Sequence, residues 1–412
     1  MKSIKDSFNR TYLKCITDKD AVGYTPGETV TFTIKLYGDG EVISAPFIEY
    51  ELACDEDKTR VIHEYASGES GCITVDFKTT KPGFIKICAY ACDENKARIK
   101  ISENLHGGAC AGLDEIRQYN KEPEDFDEFW ANSLKLLPDI SKVSRHVRVR
   151  ELTDEVPEGY KSFEVVIPAV DDGTRPSVAC FTYPADAEEG SLKIRISFQG
   201  YGVESPGYAA FPGYLGVSVS SHGIPVRMPV HYYNYDLLGI DNFGFYHNEK
   251  PETVYFRNMI LRDIQMLRYA MTHPLWNGKD IFCIGGSMGA FQATAVSALM
   301  SDVVTELEVH INWMCDVGGE EIRLPGWRPT FTEALKYYDT INFARRVKAP
   351  INISTSGLGD YTSPPSGIAA YYNEVKAAGN TSVRITFVQN RDHVPATMPD
   401  SELLEYTREH TV

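Results

Sequence analysis

Three kinds of side chain that together cleave carbonyl–oxygen bonds occur in this chain, and the serine is the easiest to see. Ser287 lies in Gly285-Gly286-Ser287-Met288-Gly289, between an apolar run at 281–284 and a helix-forming run at 290–300. A serine between glycines where a strand turns sharply into a helix is a nucleophile elbow. The glycines let the backbone take a strained turn and leave room beside it, and the hydroxyl stands at the helix N-terminus. The chemistry open to it is attack on a carbonyl carbon. A serine at its free pKa is a weak nucleophile, so it needs a histidine to take its proton and a carboxylate to fix that histidine's tautomer.

The histidines downstream of Ser287 are His310, His393 and His410. His310 alternates with apolar residues across 307–313, which reads as a strand and gives it a structural role. His410 is close to the C-terminal end, where fraying is expected. His393 follows the strand-like run 382–388 in the polar loop Gln389-Asn390-Arg391-Asp392-His393, which suits a base. For the acid, Asp360 follows the strand-like run 350–355 and precedes a helix that Pro364 and Pro365 can open. Asp316, which follows the preceding strand through Cys315, is the runner-up, and either aspartate could be only a cap or turn residue.

Serine, acid and histidine in that order, each after a strand, is the order of an α/β-hydrolase. In that fold one oxyanion donor is the backbone N–H after the nucleophile, here Met288. The other comes from the loop after the third strand, here 192–198, which points to the Tyr201 N–H. Ahead of the elbow, Phe256, Met259, Ile260, Ile264, Leu267 and Met271 recur at helical spacing and predict an amphipathic core helix.

Several of these segments resemble carbohydrate esterase family 7, the acetyl xylan esterases and cephalosporin-C deacetylases. The resemblance runs over roughly residues 122–395. It includes Asp125-Phe126-Asp127-Glu128-Phe129-Trp130, the elbow, Ile341-Asn342-Phe343-Ala344-Arg345-Arg346, Gly357-Leu358-Gly359-Asp360 with Pro364-Pro365-Ser366, and His393. It implies a deacetylating serine esterase with Ser287, Asp360 and His393 as its triad, no metal or organic cofactor, and a tendency to form closed oligomers. Three places depart from the family's pattern. Gln199-Gly200-Tyr201 replaces His-Gly-Tyr, Leu238-Gly239-Ile240 after Tyr235-Asp236 is the nearest counterpart of Arg-Gly-Gln, and Val394 follows the histidine in place of glutamate.

The 412 residues exceed what one core usually organises. From Thr29 to about Ile101 short alternating runs broken by turns predict an antiparallel β-sandwich of immunoglobulin type, with strands at 29–36, 47–52, 75–78, 84–91 and 97–101. Residues 104–110, with His106-Gly107-Gly108, read as a glycine-rich linker. The expected division is therefore a sandwich over 1–110 and an α/β-hydrolase domain over 111–412, entered by a helix near 126–137.

A formal charge of −16 without a Lys/Arg cluster argues against nucleic acid. Apolar runs are too short for a membrane span, and charges scattered through 1–20 predict a cytoplasmic protein. The nine cysteines lack a Cys-x-x-Cys pair and predict reduced thiols, with Cys88 and Cys92 as packed residues in preference to metal ligands. The sequon at Asn352 falls in a predicted buried strand. Tyr208, Phe211, Tyr214, Tyr232, Tyr233 and Tyr235 could line a sugar-stacking pocket or simply pack their loop. The expected partner is an acetylated carbohydrate or small ester. A prolyl-oligopeptidase-type peptidase and a non-catalytic glycan-binding protein are the alternatives.

Overall fold

The computed structural model describes residues 1–169, 175–234, 238–240, 242–394, 398 and 402–411. Alternation in the N-terminal part becomes two antiparallel sheets. In the first, β1 (Thr11–Thr17), β2 (Thr29–Gly38) and β3 (Glu41–Val42) lie in order. The second contains β4 (Phe47–Cys54) and β5 (Asp57–Ser67). Strand β6 (Cys72–Lys78) returns to the first sheet beside β2, while β7 (Gly83–Cys92) and β8 (Leu105–Ala111) complete the second in the order β5-β4-β7-β8. Val30, Phe32, Ile34 and Leu36 of β2 face inward and share one apolar core with Ile48, Ile85 and Ile87 of the other layer.

Two expectations fail here. The 97–101 run is no strand and makes only an isolated bridge at Arg98. The expected linker is strand β8, paired antiparallel to β7 from Leu105 to Ala111.

The rest of the chain builds a ten-stranded sheet. Strands β9 (Arg148–Leu152), β10 (Tyr160–Ile167) and β11 (Ser177–Pro184) form one antiparallel edge. Strands β12 (Leu192–Phe198), β13 (Tyr214–Ser220), β14 (Trp276–Gly286), β15 (Glu306–His310), β16 (Ile351–Gly357) and β17 (Ser382–Gln389) run parallel. Antiparallel β18 (Leu404–Thr411) closes the far edge, so His410 is held in a ladder with Val383 and does not fray. The spatial order is β18-β17-β16-β15-β14-β12-β13-β11-β10-β9. The swap of β12 and β13 is the crossover of an α/β-hydrolase sheet, and the parallel run of β12, β14, β16 and β17 puts their C-terminal ends at one edge.

Helices cover the sheet because strands such as β14 are apolar on both faces. Among them are α1 (Phe126–Leu134), α2 (Ile140–Val143), the amphipathic α3 (Tyr255–Ala270), α4 (Met288–Leu299), α5 (Thr340–Ala344) and α6 (Pro365–Ala377). In α4 the small residues Ala290, Ala293 and Ala295 are fully buried, letting the helix lie close over β14. Ala21, Val22, Phe84 and Cys110 of the N-terminal part pack into the core of the large sheet, so the two parts meet through buried apolar surface. Among the described residues no helix is long and apolar enough to cross a membrane.

Candidate active site

Ser287 sits between β14 and α4 with φ 55° and ψ −121°, so the strained residue of the elbow is the serine itself. The neighbouring glycines supply space. A Cβ on Gly285 would lie 2.1 Å from the Gly289 carbonyl oxygen, and one on Gly289 would lie 2.3 Å from the Phe198 carbonyl oxygen. No side chain larger than hydrogen fits at either place, and this close approach brings α4 against the end of β12.

Ser287 Oγ is 3.0 Å from Nε2 of His393, and Nδ1 of the same ring is 2.9 Å from Oδ2 of Asp360. An ionised Asp360 makes Nδ1 the donor, which leaves Nε2 to accept from the serine hydroxyl. Asp360 is 2 % exposed, and its other oxygen accepts N–H bonds from Thr362 (2.8 Å) and Ser363 (2.9 Å). Burial raises its pKa above the usual carboxylate range, while the bond from His393 pulls it back down. The three expected side chains thus form one hydrogen-bonded chain, each on the loop that the sequence indicates.

Other candidates lie elsewhere or serve packing. Asp316 is ion-paired with Arg323 and accepts the Tyr119 N–H at 2.8 Å. Buried beside it, Asp339 accepts N–H bonds from Asp316, Val317, Ile341 and the Gln118 side chain; burial pushes its pKa up to about 6. His310 lies under the elbow, where its carbonyl oxygen accepts the Ser287 N–H at 3.1 Å, and burial lowers its pKa. Cys88 and Cys92 are four residues apart on β7, a rise of about 13 Å, too far to share an ion. All nine cysteines are free. Glu49, Glu51 and His63 bring donor atoms within 4.8 Å of one another, but Arg98 already pairs with both glutamates.

Met288 is the first residue of α4, and Tyr201 lies in the loop after β12. Gln199, one of the departures from the family pattern that the sequence resembles, has its carbonyl oxygen bonded by Gln292 Nε2 of α4 at 3.0 Å and its own Nε2 on the Glu204 carbonyl at 3.1 Å. Leu238-Gly239-Ile240 is described, but Tyr235 and Asp236 lie outside the described residues, and Val394 is exposed.

Of the tyrosine-rich set, Tyr208 bonds the Asp154 carbonyl, Phe211 stacks on Arg195 and Tyr233 bonds the Pro225 carbonyl. Tyr233 thus packs its own loop, while Tyr208 and Phe211 pack on the β9–β10 turn and on β12. The rings around Tyr201 are instead Phe243, stacked at 4.6 Å, with Trp313 and Trp327 edge-on at 5.8 and 4.6 Å.

The loop that carries His393 also has supports that the sequence reading missed. Gln389 Oε1 accepts the Gly108 N–H at 2.9 Å, and its Nε2 donates to the Gly108 carbonyl at 2.7 Å. Asn390 repeats the arrangement on Cys15, at 2.8 and 3.1 Å. Both side chains are buried. The glycines of β8 make this possible: a Cβ on Gly108 would meet the Leu358 carbonyl oxygen at 2.6 Å, and one on Gly107 the Gln389 Oε1 at 2.7 Å.

An acetyl xylan esterase (AXE1) family model matches residues 110–318 and 329–409. The chain belongs to that family. It is accordingly a carboxylic ester hydrolase. Over 381 residues it is 22 % identical to acetyl esterase Axe7A of Xylanibacter ruminicola, covering 86 % of this chain and 81 % of the relative. An acetyl xylan esterase from Paenibacillus sp. R4 superposes with TM-score 0.54 and 22 % identity, over 69 % of this chain and 94 % of its own. Acetyl xylan esterase 1 from Thermoanaerobacterium sp. JW/SL YS485 superposes with TM-score 0.52 and 19 % identity, over 69 % and 93 % of the two chains. These two share the α/β-hydrolase fold.

Two segments that carry the esterase resemblance are structural partners of each other. Phe126 and Trp130 of α1 pack on Phe343 of α5 at 5.3 and 5.2 Å, and Arg346 pairs with Glu122 and Asp127.

Proposed function

We propose that this esterase removes acetyl groups from carbohydrate esters, or closely related small esters, through a Ser287–His393–Asp360 triad and an acyl-enzyme. The observation that supports it most is the unbroken hydrogen-bond chain from Ser287 Oγ through His393 to buried Asp360. In this reading His393 Nε2 takes the hydroxyl proton as Oγ attacks the ester carbonyl. The same proton passes to the departing alcohol oxygen as the carbonyl–oxygen bond breaks. A water, deprotonated in turn by Nε2, then releases acetate and restores Ser287. The backbone N–H groups of Met288 and Tyr201 receive the oxyanion, and fixed donors of this kind are worth roughly 3 to 4 kcal/mol each. Asp360 keeps the ring in the productive tautomer. The proposal places this domain over 111–412, behind an immunoglobulin-like sandwich over 1–110, in a cytoplasmic protein able to form oligomers.

Family membership displaces the non-catalytic glycan-binding alternative. The peptidase alternative expects a propeller, whereas the N-terminal residues build two four-stranded sheets around one core. Acetylated xylo-oligosaccharide is expected to be deacetylated by the native chain and not by Ser287→Ala. Among small esters, kcat/KM should fall from acetate to butyrate to octanoate, because overfilling a small acyl pocket costs roughly 1 to 3 kcal/mol. Values that rise with acyl length would sink the deacetylase reading.

A further inference from the structure

Residues 319–328 fall between the two stretches that match the family, so they lie outside its shared pattern. Trp327 is in this segment. It is 42 % exposed, whereas Trp313 beneath it is 1 % exposed, and the two indoles stack at 5.7 Å with planes 27° apart. Trp313 leads back to the nucleophile, since its backbone N–H reaches the Ser287 carbonyl oxygen at 3.4 Å. Trp327 is also fixed to the acid loop: its N–H donates to the Thr362 carbonyl at 3.1 Å, and Thr362 in turn donates to Asp360. Its own carbonyl accepts the Trp313 indole N–H at 2.6 Å. Tyr201 stands edge-on to it at 4.6 Å. One open indole thus borders the nucleophile, acid and oxyanion loops together.

The segment is held from both the N-terminal part and the large-sheet part. Asp55, between β4 and β5, accepts the Leu324 N–H at 3.0 Å, and Lys58 donates to the Glu320 carbonyl. Arg323 pairs with Asp316, and Arg328 donates to the carbonyls of Cys315 and Asp316 at 3.1 and 2.6 Å. A large apolar ring left open on a backbone tied this firmly is presented, not loose. Indole faces complement the C–H faces of pyranose rings, and an edge-polar, face-apolar ligand suits such a surface.

We propose that Trp327 is the platform on which a glycosyl ring of the substrate rests, supplied by a segment outside the family pattern and braced by Asp55 of the N-terminal part. The inference rests on the esterase reading above and names the alcohol side of its substrate as a sugar ring. Trp327→Ala should lose about tenfold more in kcat/KM on acetylated xylo-oligosaccharide than on ethyl acetate, which has no ring to stack, with the excess in KM. Trp327→Phe should recover most of that difference. In the Ser287→Ala background, adding Trp327→Ala should weaken binding of the uncleaved oligosaccharide by a similar factor. If Ser287→Ala still hydrolyses esters, the Ser287 triad proposed above fails. If it is inactive but Trp327→Ala affects both esters alike, or neither, the platform alone is overturned.

Discussion

Ser287 and the pair Asp360–His393 are held by different parts of the chain. The serine depends on the large sheet alone: β14 ends beneath it, α4 begins at it, and glycine contacts with β12 set its place. Asp360 and His393 lie on loops pressed against β8 and β1. Gln389 and Asn390 grip the backbone of Gly108 and Cys15, and a Cβ on Gly359 would strike the His106 carbonyl carbon at 2.3 Å. The proposed nucleophile is therefore a property of one sheet, and the proposed acid–base pair is a property of two parts packed together. The N-terminal part thus backs the proposed base through β1 and β8.

The largest expected effect tests which aspartate belongs to this pair. Asp360→Asn should cost roughly 10⁴-fold in kcat by disturbing the histidine tautomer. Asp316→Asn should leave turnover far less changed and instead lower stability, because it strands buried Arg323; breaking a buried pair costs roughly 3 to 5 kcal/mol. The reverse ranking would move the acid role to Asp316.

A smaller effect tests the grip itself. Gln389→Ala and Asn390→Ala each remove two hydrogen bonds and leave buried backbone groups of Gly108 or Cys15 without partners, about 1 to 3 kcal/mol per group. If these clamps fix His393, each variant should remain folded but lose up to about 10²-fold in kcat, the scale of a 1 Å misplacement, with KM little altered. Stability lost without any change in kcat would show that they join the two parts and do not position the base.

The same contrast explains what could be read from the sequence. Ser287, Asp360 and His393 were legible because each is announced locally by an apolar run followed by a polar or glycine turn. Strands β2 and β6 were legible because one face is buried and the residues alternate, and β4 and β7 because they are short apolar runs bounded by turns. Strand β5 was not, since it is an exposed edge carrying Lys58, Arg60, His63 and Glu64 with almost no buried face. Strand β8 was misread because Gly107 and Gly108 signal a loop to a local reading, whereas here glycine is needed for close approach to Gln389 and Leu358. The proposed Trp327 platform was not legible for a related reason. Tyr208 and Phe211 are dense in sequence, but Trp327 comes to Tyr201 only through tertiary packing. Its one local sign is a tryptophan bracketed by prolines, Pro325-Gly326-Trp327-Arg328-Pro329.

The smallest expected effect is in the response to acid, where the two parts should differ in sign. In the N-terminal part, Glu49 is held down to about 2 by its bonds to Arg98, so its contribution is present at neutral pH and is lost only as pH falls toward that value. In the large-sheet part, burial raises Asp316, Asp339 and Asp360, with Asp339 reaching about 6. A raised acid binds its proton more tightly folded than unfolded. Its contribution is greatest at low pH and is lost as pH rises through the folded value. From pH 7 to pH 5, then, Glu49 should contribute no change while Asp339 favours folding by on the order of 1 kcal/mol. The urea midpoint of the native chain should rise over that interval, and Asp339→Asn should flatten the rise, because asparagine can still cap the helix that begins at Thr340 but has no proton to gain. A midpoint that falls between pH 7 and pH 5 would mean that ion pairs of the kind made by Glu49 govern both parts, and the contrast in acid response would be wrong.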